Sequence, residues 1–127
     1  MEMRLIVAGS RTFTDYDMLD QYVTNVIYGY NNITNNIVIV SGRAKGADQL
    51  GERYAKNHGY KLSLFPADWF MLGKRAGYVR NEQMAQFASE GNNIGGLICF
   101  WDGVSKGTGH MINLAYKYNL YVAIKRF

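Results

Sequence analysis

Three stretches of the chain bring glycine together with hydroxyl and basic side chains. Gly9-Ser10-Arg11-Thr12 is the first and Ser41-Gly42-Arg43-Ala44-Lys45-Gly46-Ala47-Asp48 the second. The third is Trp101-Asp102-Gly103-Val104-Ser105-Lys106-Gly107-Thr108-Gly109. Such strings suit the holding of an anion. Glycines let backbone amides approach a phosphate, and a helix starting in the string presents N–H groups without intrahelical partners. The helix dipole contributes about 0.3–1 kcal/mol and each charge-assisted hydrogen bond roughly 1.5–3 kcal/mol. Two such loops and an arginine suffice for micromolar affinity, about 8 kcal/mol. Any parallel sheet needs glycine at its turns, so one string alone would carry little. Three strings, each with Ser or Thr, carry the expectation together.

Arg11, Arg43, Lys45, Lys74, Arg75, Arg80 and Lys106 fall in or beside such loops. Arg80-Asn81 lies in the first turns of an expected helix, where a cation opposes the dipole. It has another task there: phosphate contact, or pairing with Asp48, Asp68 or Asp102. Trp69 and Trp101 flank the site in sequence. Either could stack on a base, and Trp101 equally suits the core. Gly-x-x-x-x-Gly-Lys-Ser/Thr does not occur, nor does Gly-x-Gly-x-x-Gly after the first strand, so ATPase and dinucleotide dehydrogenase motifs are missing. Catalytic signals are thin. His58 sits at a helix end and suits carbonyl capping; His110 has no nucleophile beside it in sequence. Ser10, Ser41 and Ser105 form no nucleophile elbow. Asp48 and Asp102 fit ribose binding or structural hydrogen bonding better than acid–base work. They could hold Mg²⁺ through a phosphate, but no ligand cluster requires a metal.

Strands and helices alternate around these loops. Apolar runs at Met3–Ala8, Ile37–Val40 and Gly96–Phe100 read as buried strands, with weaker strands at Leu62–Leu64 and Leu120–Ile124. Helical spacing recurs at Leu19, Tyr22, Val23, Val26, Ile27 and Tyr30, with Thr14 and Asp15 as caps and Gly29 as stop. Further helices are expected over Ala47–His58, Gly77–Ser89 and Gly107–Tyr118, and a long loop over Ala67–Ala76. The pattern predicts an α/β fold: a single, doubly wound domain over 1–127, with a mostly parallel five-stranded sheet and helices on both faces. All three strings then follow strands 1, 2 and 4 at the sheet's carboxyl edge, where such folds bind ligands.

Composition sets the frame. The chain has 127 residues, 48% hydrophobic and 19% charged, which excludes disorder. Its one cysteine, Cys99, excludes an intrachain disulfide and a thiolate zinc cluster. No run approaches a membrane span and no signal peptide precedes the first strand, so a cytoplasmic protein with no membrane partner is expected. A net charge of +4 is modest, and the basic residues are scattered, which speaks against a nucleic-acid partner and fits a small anion. Tyr22 with Tyr30 and Tyr116 with Tyr118 could form a homo-oligomer face, dimeric or higher, or cover the sheet.

Four ordered motifs resemble one known family. They are Gly9-Ser10-Arg11; the string from Ser41 to Asp48; Trp69 with Gly73-Lys74-Arg75-Ala76-Gly77, Arg80-Asn81 and Met84; and Phe100-Trp101-Asp102-Gly103 with Ser105, Gly107-Thr108 and Met111-Ile112. Together they resemble the YspA/cpYpsA-related branch of the SLOG superfamily, the SMF/DprA–LOG group. Arg43 stands where that branch usually carries a second glycine. The resemblance implies a Rossmann-like domain that binds a nucleotide or nucleotide-derived signalling molecule, often in phage and phage-defence settings. The richness in Asn, Tyr and Ile also marks AT-rich genomes, viral ones included. In the LOG phosphoribohydrolases a Gly-Thr-x-x-Glu motif supplies the catalytic Glu, a position that aligns here with Met111. The resemblance thus implies a retained phosphate-binding half and a lost carboxylate. Methionine can neither activate water nor stabilise an oxocarbenium ion.

The first expectation is therefore a sensor or sequestering protein, and, if phage-encoded, a counter-defence sponge. A LOG-like hydrolase using Asp102 is the alternative. A single-stranded nucleic-acid module, as in the DprA relatives, is the third.

Overall fold

A computed structural model describes residues 1–127 throughout. Five strands, β1 (Met3–Gly9), β2 (Ile37–Ser41), β3 (Lys61–Leu64), β4 (Ile94–Trp101) and β5 (Tyr121–Arg126), form one sheet. Its order is β3-β2-β1-β4-β5, and every pairing is parallel. The expectation of a mostly parallel sheet becomes an entirely parallel one, because each connection carries a helix back across the sheet. The helices are α1 (Tyr16–Tyr28), α2 (Ala47–His58), α3 (Trp69–Leu72), α4 (Ala76–Ser89) and α5 (Lys106–Lys117).

The central strand shows why both faces are covered. Successive side chains point to opposite faces of a strand. Leu5 and Val7 of β1 pack with Leu19, Val23, Tyr54 and Ala55 of α1 and α2. Ile6 and Ala8 pack with Met84, Ala88, Met111 and Ala115 of α4 and α5. A strand buried on both sides needs a continuous apolar run, which β1, β2 and the second half of β4 supply. The edge strands β3 and β5 are more open: Leu64 and Tyr121 are exposed.

Chain entry into α1 follows the expected chemistry, with Asp15 accepting from the Met18 amide and Gly29 closing the helix. The expected loop over 67–76 is partly helical. Asp68 caps α3 by accepting from the Met71 amide, and a 3₁₀ turn, Gly73–Arg75, leads into α4. None of the α3 residues is buried and Phe70 is 96% exposed, so no apolar periodicity could announce this helix. The topological switch lies between β1 and β4, where the chain turns from one side of the sheet to the other. At that point Gly9 presses against β4: a Cβ there would run into the Phe100 carbonyl, which already accepts from the Ser10 amide at 2.9 Å.

Candidate functional site

A cavity of about 390 Å³ opens at the carboxyl ends of β1, β2 and β4, at the switch point. Its walls come from the loops after β1, β2 and β4, from α3 with the following turn, and from the first turns of α4 and α5.

The loop after β1 brings Gly9, Ser10 and Arg11 to the cavity. The buried Ser10 hydroxyl ties this loop to the one after β4: it accepts from the Asp102 amide at 3.0 Å and lies 3.2 Å from Ser105 Oγ. The loop after β2 closes under the first. Gly46 has φ 80, a left-handed conformation that suits glycine, and a Cβ there would meet the backbone of Ser10 and Arg11.

Arg80 and Asp48 face each other across Gly42. A Cβ on Gly42 would lie 2.7 Å from Arg80 Nη1 and 2.8 Å from Asp48 Oδ2. Arg80 donates through Nη1 to the Gly42 carbonyl and through Nε to Asn81 Oδ1 at 3.0 Å. Asn81 Nδ2 donates to the Gly107 carbonyl at 3.3 Å and to His110 Nδ1 at 3.2 Å. Burial pushes the His110 pKa down, favouring the neutral ring that can accept this bond. The arginine is thus held directly by the β2 loop, and through Asn81 by α5. Asp48 is 4% exposed, and burial pushes its carboxyl up to about 6, while Arg80 and the Ala44 amide, 3.3 Å away, hold the rise back.

Asp102 has the opposite environment. Its Oδ1 accepts from the Val104 and Ser105 amides at 2.9 and 2.8 Å, and its Oδ2 from Ser105 Oγ at 2.8 Å. These bonds hold its carboxyl down at about 2. It shapes the turn into α5 and is a poor base. At that helix start Thr108 is buried and lines the cavity beside Gly107. The Ser105 side chain makes no capping bond to the helix, so the first amides of α5 lack a side-chain partner.

Most of the expected residues gather here. Gly9, Ser10, Arg11, Ala44, Asp48 and Trp69 line the cavity, as do Lys74, Arg80, Asn81, Asp102, Ser105, Gly107 and Thr108. Six do not. Ser41 is buried, donating to Glu52 Oε2 at 2.7 Å and receiving the Arg43 amide at 3.1 Å. Gly42 is the slot between Arg80 and Asp48, and Gly46 is packed against the first loop. Arg43 turns away to pair with Glu52 at 3.4 Å, and its φ of 66 is a left-handed conformation that glycine adopts at less cost. Lys45 is exposed beside the cavity. Trp101 packs on the α4–α5 core and donates from Nε1 to the Ser105 carbonyl at 3.1 Å.

Tyr78 is a lining residue that none of the sequence motifs contains. It is 46% exposed and meets His110 edge-on at 4.5 Å. Its place three residues before Asn81, on the same helix face, is the signal that could have found it. Trp69, 51% exposed, lies over Gly77, where a Cβ would approach its ring to 3.4 Å. Met111 also lines the cavity.

His58, expected to cap α2, instead lies 3.0 Å from Asp20 Oδ2 on α1 and stacks on Tyr54. Tyr22 and Tyr30 pack against the α1–α2 core, and the Tyr118 hydroxyl donates to Glu82. Of the four tyrosines offered for self-association, only Tyr116 remains well exposed, at 60%. No three His, Cys, Asp or Glu side chains cluster as a metal site. No helix is long and apolar enough to cross a membrane.

Comparison with known proteins adds three findings. The model of the YspA, cpYpsA-related SLOG family matches residues 3–70. The Gene 61 protein of Mycobacterium phage D29 is 31% identical over 123 residues, covering 90% of this chain and 89% of that protein. A solved structure, a predicted subunit of tRNA methyltransferase from Methanocaldococcus jannaschii, aligns with 98% of this chain and 67% of its own at 13% identity and a TM-score of 0.39.

Proposed function

The chain belongs to the YspA, cpYpsA-related SLOG family, and from that premise we propose that its cavity binds a nucleotide or nucleotide-derived signalling molecule without turning it over. One observation carries the reading: Arg80, the open start of α5 and two exposed aromatic rings, Trp69 and Tyr78, converge on one cavity. A phosphate fits against Arg80 and the Gly107–Thr108 amides, where charge-assisted hydrogen bonds contribute roughly 1.5–3 kcal/mol each. A base fits on Trp69, where stacking contributes about 1–3 kcal/mol. A divalent cation enters only with the ligand's own phosphates.

Two positions support binding without turnover. Met111 occupies the wall position where the resemblance to LOG enzymes implies a glutamate. Asp102 is committed to the α5 turn. A sensor or a sequestering protein needs binding alone, and in a phage such a protein would serve as a counter-defence sponge. The rival hydrolase would have to run through Asp48, whose carboxyl lies in the cavity and titrates at about 6.

The test is incubation with nucleoside monophosphates, followed by chromatography for free base and by equilibrium dialysis. Retention of intact nucleotide, weakened about tenfold or more by Arg80→Ala, is expected. Release of free base that disappears in Asp48→Asn would replace this reading with the hydrolase.

A further inference from the structure

The basic residues that look scattered in sequence are gathered by the fold. Arg11, Lys45, Lys74, Arg75 and Lys106 are all exposed, and each lines the cavity or is the chain neighbour of a residue that does. None forms an ion pair. Lys106 opens α5, where a cation opposes the helix dipole, so its own helix gives no reason for it to be there. The nearby acids are engaged: Asp48 faces Arg80 across Gly42 inside the cavity. Asp68 caps α3, Glu82 receives the Tyr118 hydroxyl, and Asp102 holds the α5 turn. Arg80 already supplies the cation inside the cavity, so the exposed five exceed what one phosphate needs.

We infer that the ligand is a dinucleotide-type anion: one nucleotide sits in the cavity, and a second, separated phosphate lies on the cationic rim. The inference rests on the proposed nucleotide-binding reading and narrows its ligand class. Focused positive potential at the mouth raises both capture and retention of such a ligand, and salt screens it.

The experiment compares nucleoside 5′-monophosphates with the matching 5′-phosphorylated dinucleotides and longer 5′-phosphorylated oligonucleotides, for all the common bases, by calorimetry at low and high salt. It uses the full chain, Arg80→Ala, and the combined variant Lys45→Ala/Arg75→Ala/Lys106→Ala. Dinucleotides are expected to bind about tenfold more tightly than monophosphates at low salt, from a few exposed ion pairs. That ratio should fall towards one in the combined variant and at high salt, while Arg80→Ala weakens both ligand classes. Equal affinities, or a ratio that survives in the combined variant, overturn the inference and leave the nucleotide reading standing. Affinity that keeps climbing with strand length also overturns it, in favour of a polymer. Failure of every nucleotide to bind overturns both.

Discussion

Replacing Asp48 with asparagine should stabilise the protein, and only above a defined pH. The carboxyl is 4% exposed, and burial lifts it from 3.8 to about 6 despite the attraction of Arg80 and the bond from the Ala44 amide. Between those two values the folded protein keeps a proton that the unfolded chain has released. Stability therefore falls as pH rises through that window, and the loss is complete above it. A shift of this size costs the ionised folded state about 3 kcal/mol. Asparagine carries the same shape without the charge. The variant should match the native chain near about pH 4 and exceed it by about 3 kcal/mol near about pH 8, with a melting temperature about 10 °C higher. Urea titrations of both proteins across this range read the difference, and subtraction removes the other titrating groups. A difference that stays flat with pH, or a variant less stable at high pH, would refute the placement of Asp48 as a buried, cavity-facing carboxylate. The expected result makes Asp48 a group kept at the expense of stability, as binding-site residues often are.

Trp69 and Trp101 are the two tryptophans of the chain, and only Trp69 lines the cavity, so nucleotide binding should quench fluorescence in Trp101→Phe and fail to do so in Trp69→Phe. Arg43→Gly relieves a left-handed φ of 66 and loses a half-exposed ion pair at 3.4 Å. It should stabilise the protein by up to about 1 kcal/mol in denaturant titration and leave monophosphate affinity within about twofold, which dialysis reads. Gly9→Ala forces a Cβ against the Phe100 carbonyl; thermal melts should show a loss of about 3 kcal/mol or more as β1 and β4 separate.

The sheet was legible because its inner strands are apolar on both faces, a pattern that Leu5-Ile6-Val7-Ala8 and Ile37-Val38-Ile39-Val40 display without interruption. The site's place was legible for a related reason: glycine and polar residues follow the strands that end at the switch point. What stayed hidden depends on partners distant in sequence. Ser41 and Gly42 have the residue types of an anion cradle, but Glu52 takes the Ser41 hydroxyl and Arg80 takes the Gly42 carbonyl. Asp48 and Asp102 look alike as letters, and only burial on one side and three hydrogen bonds on the other drive their carboxyls to about 6 and about 2. The helix α3 buries nothing, so it leaves no periodic trace. The cations look scattered in sequence, and only the fold draws five of them around one opening.

The central claim is intact retention of a nucleotide-type ligand. It is tested most directly by denaturing the purified protein, identifying the released small molecules by mass spectrometry, and incubating the identified molecule with fresh protein. The account predicts a phosphate-bearing nucleotide derivative that is bound again and recovered unchanged. Recovery of free base and ribose phosphate after that incubation would contradict it.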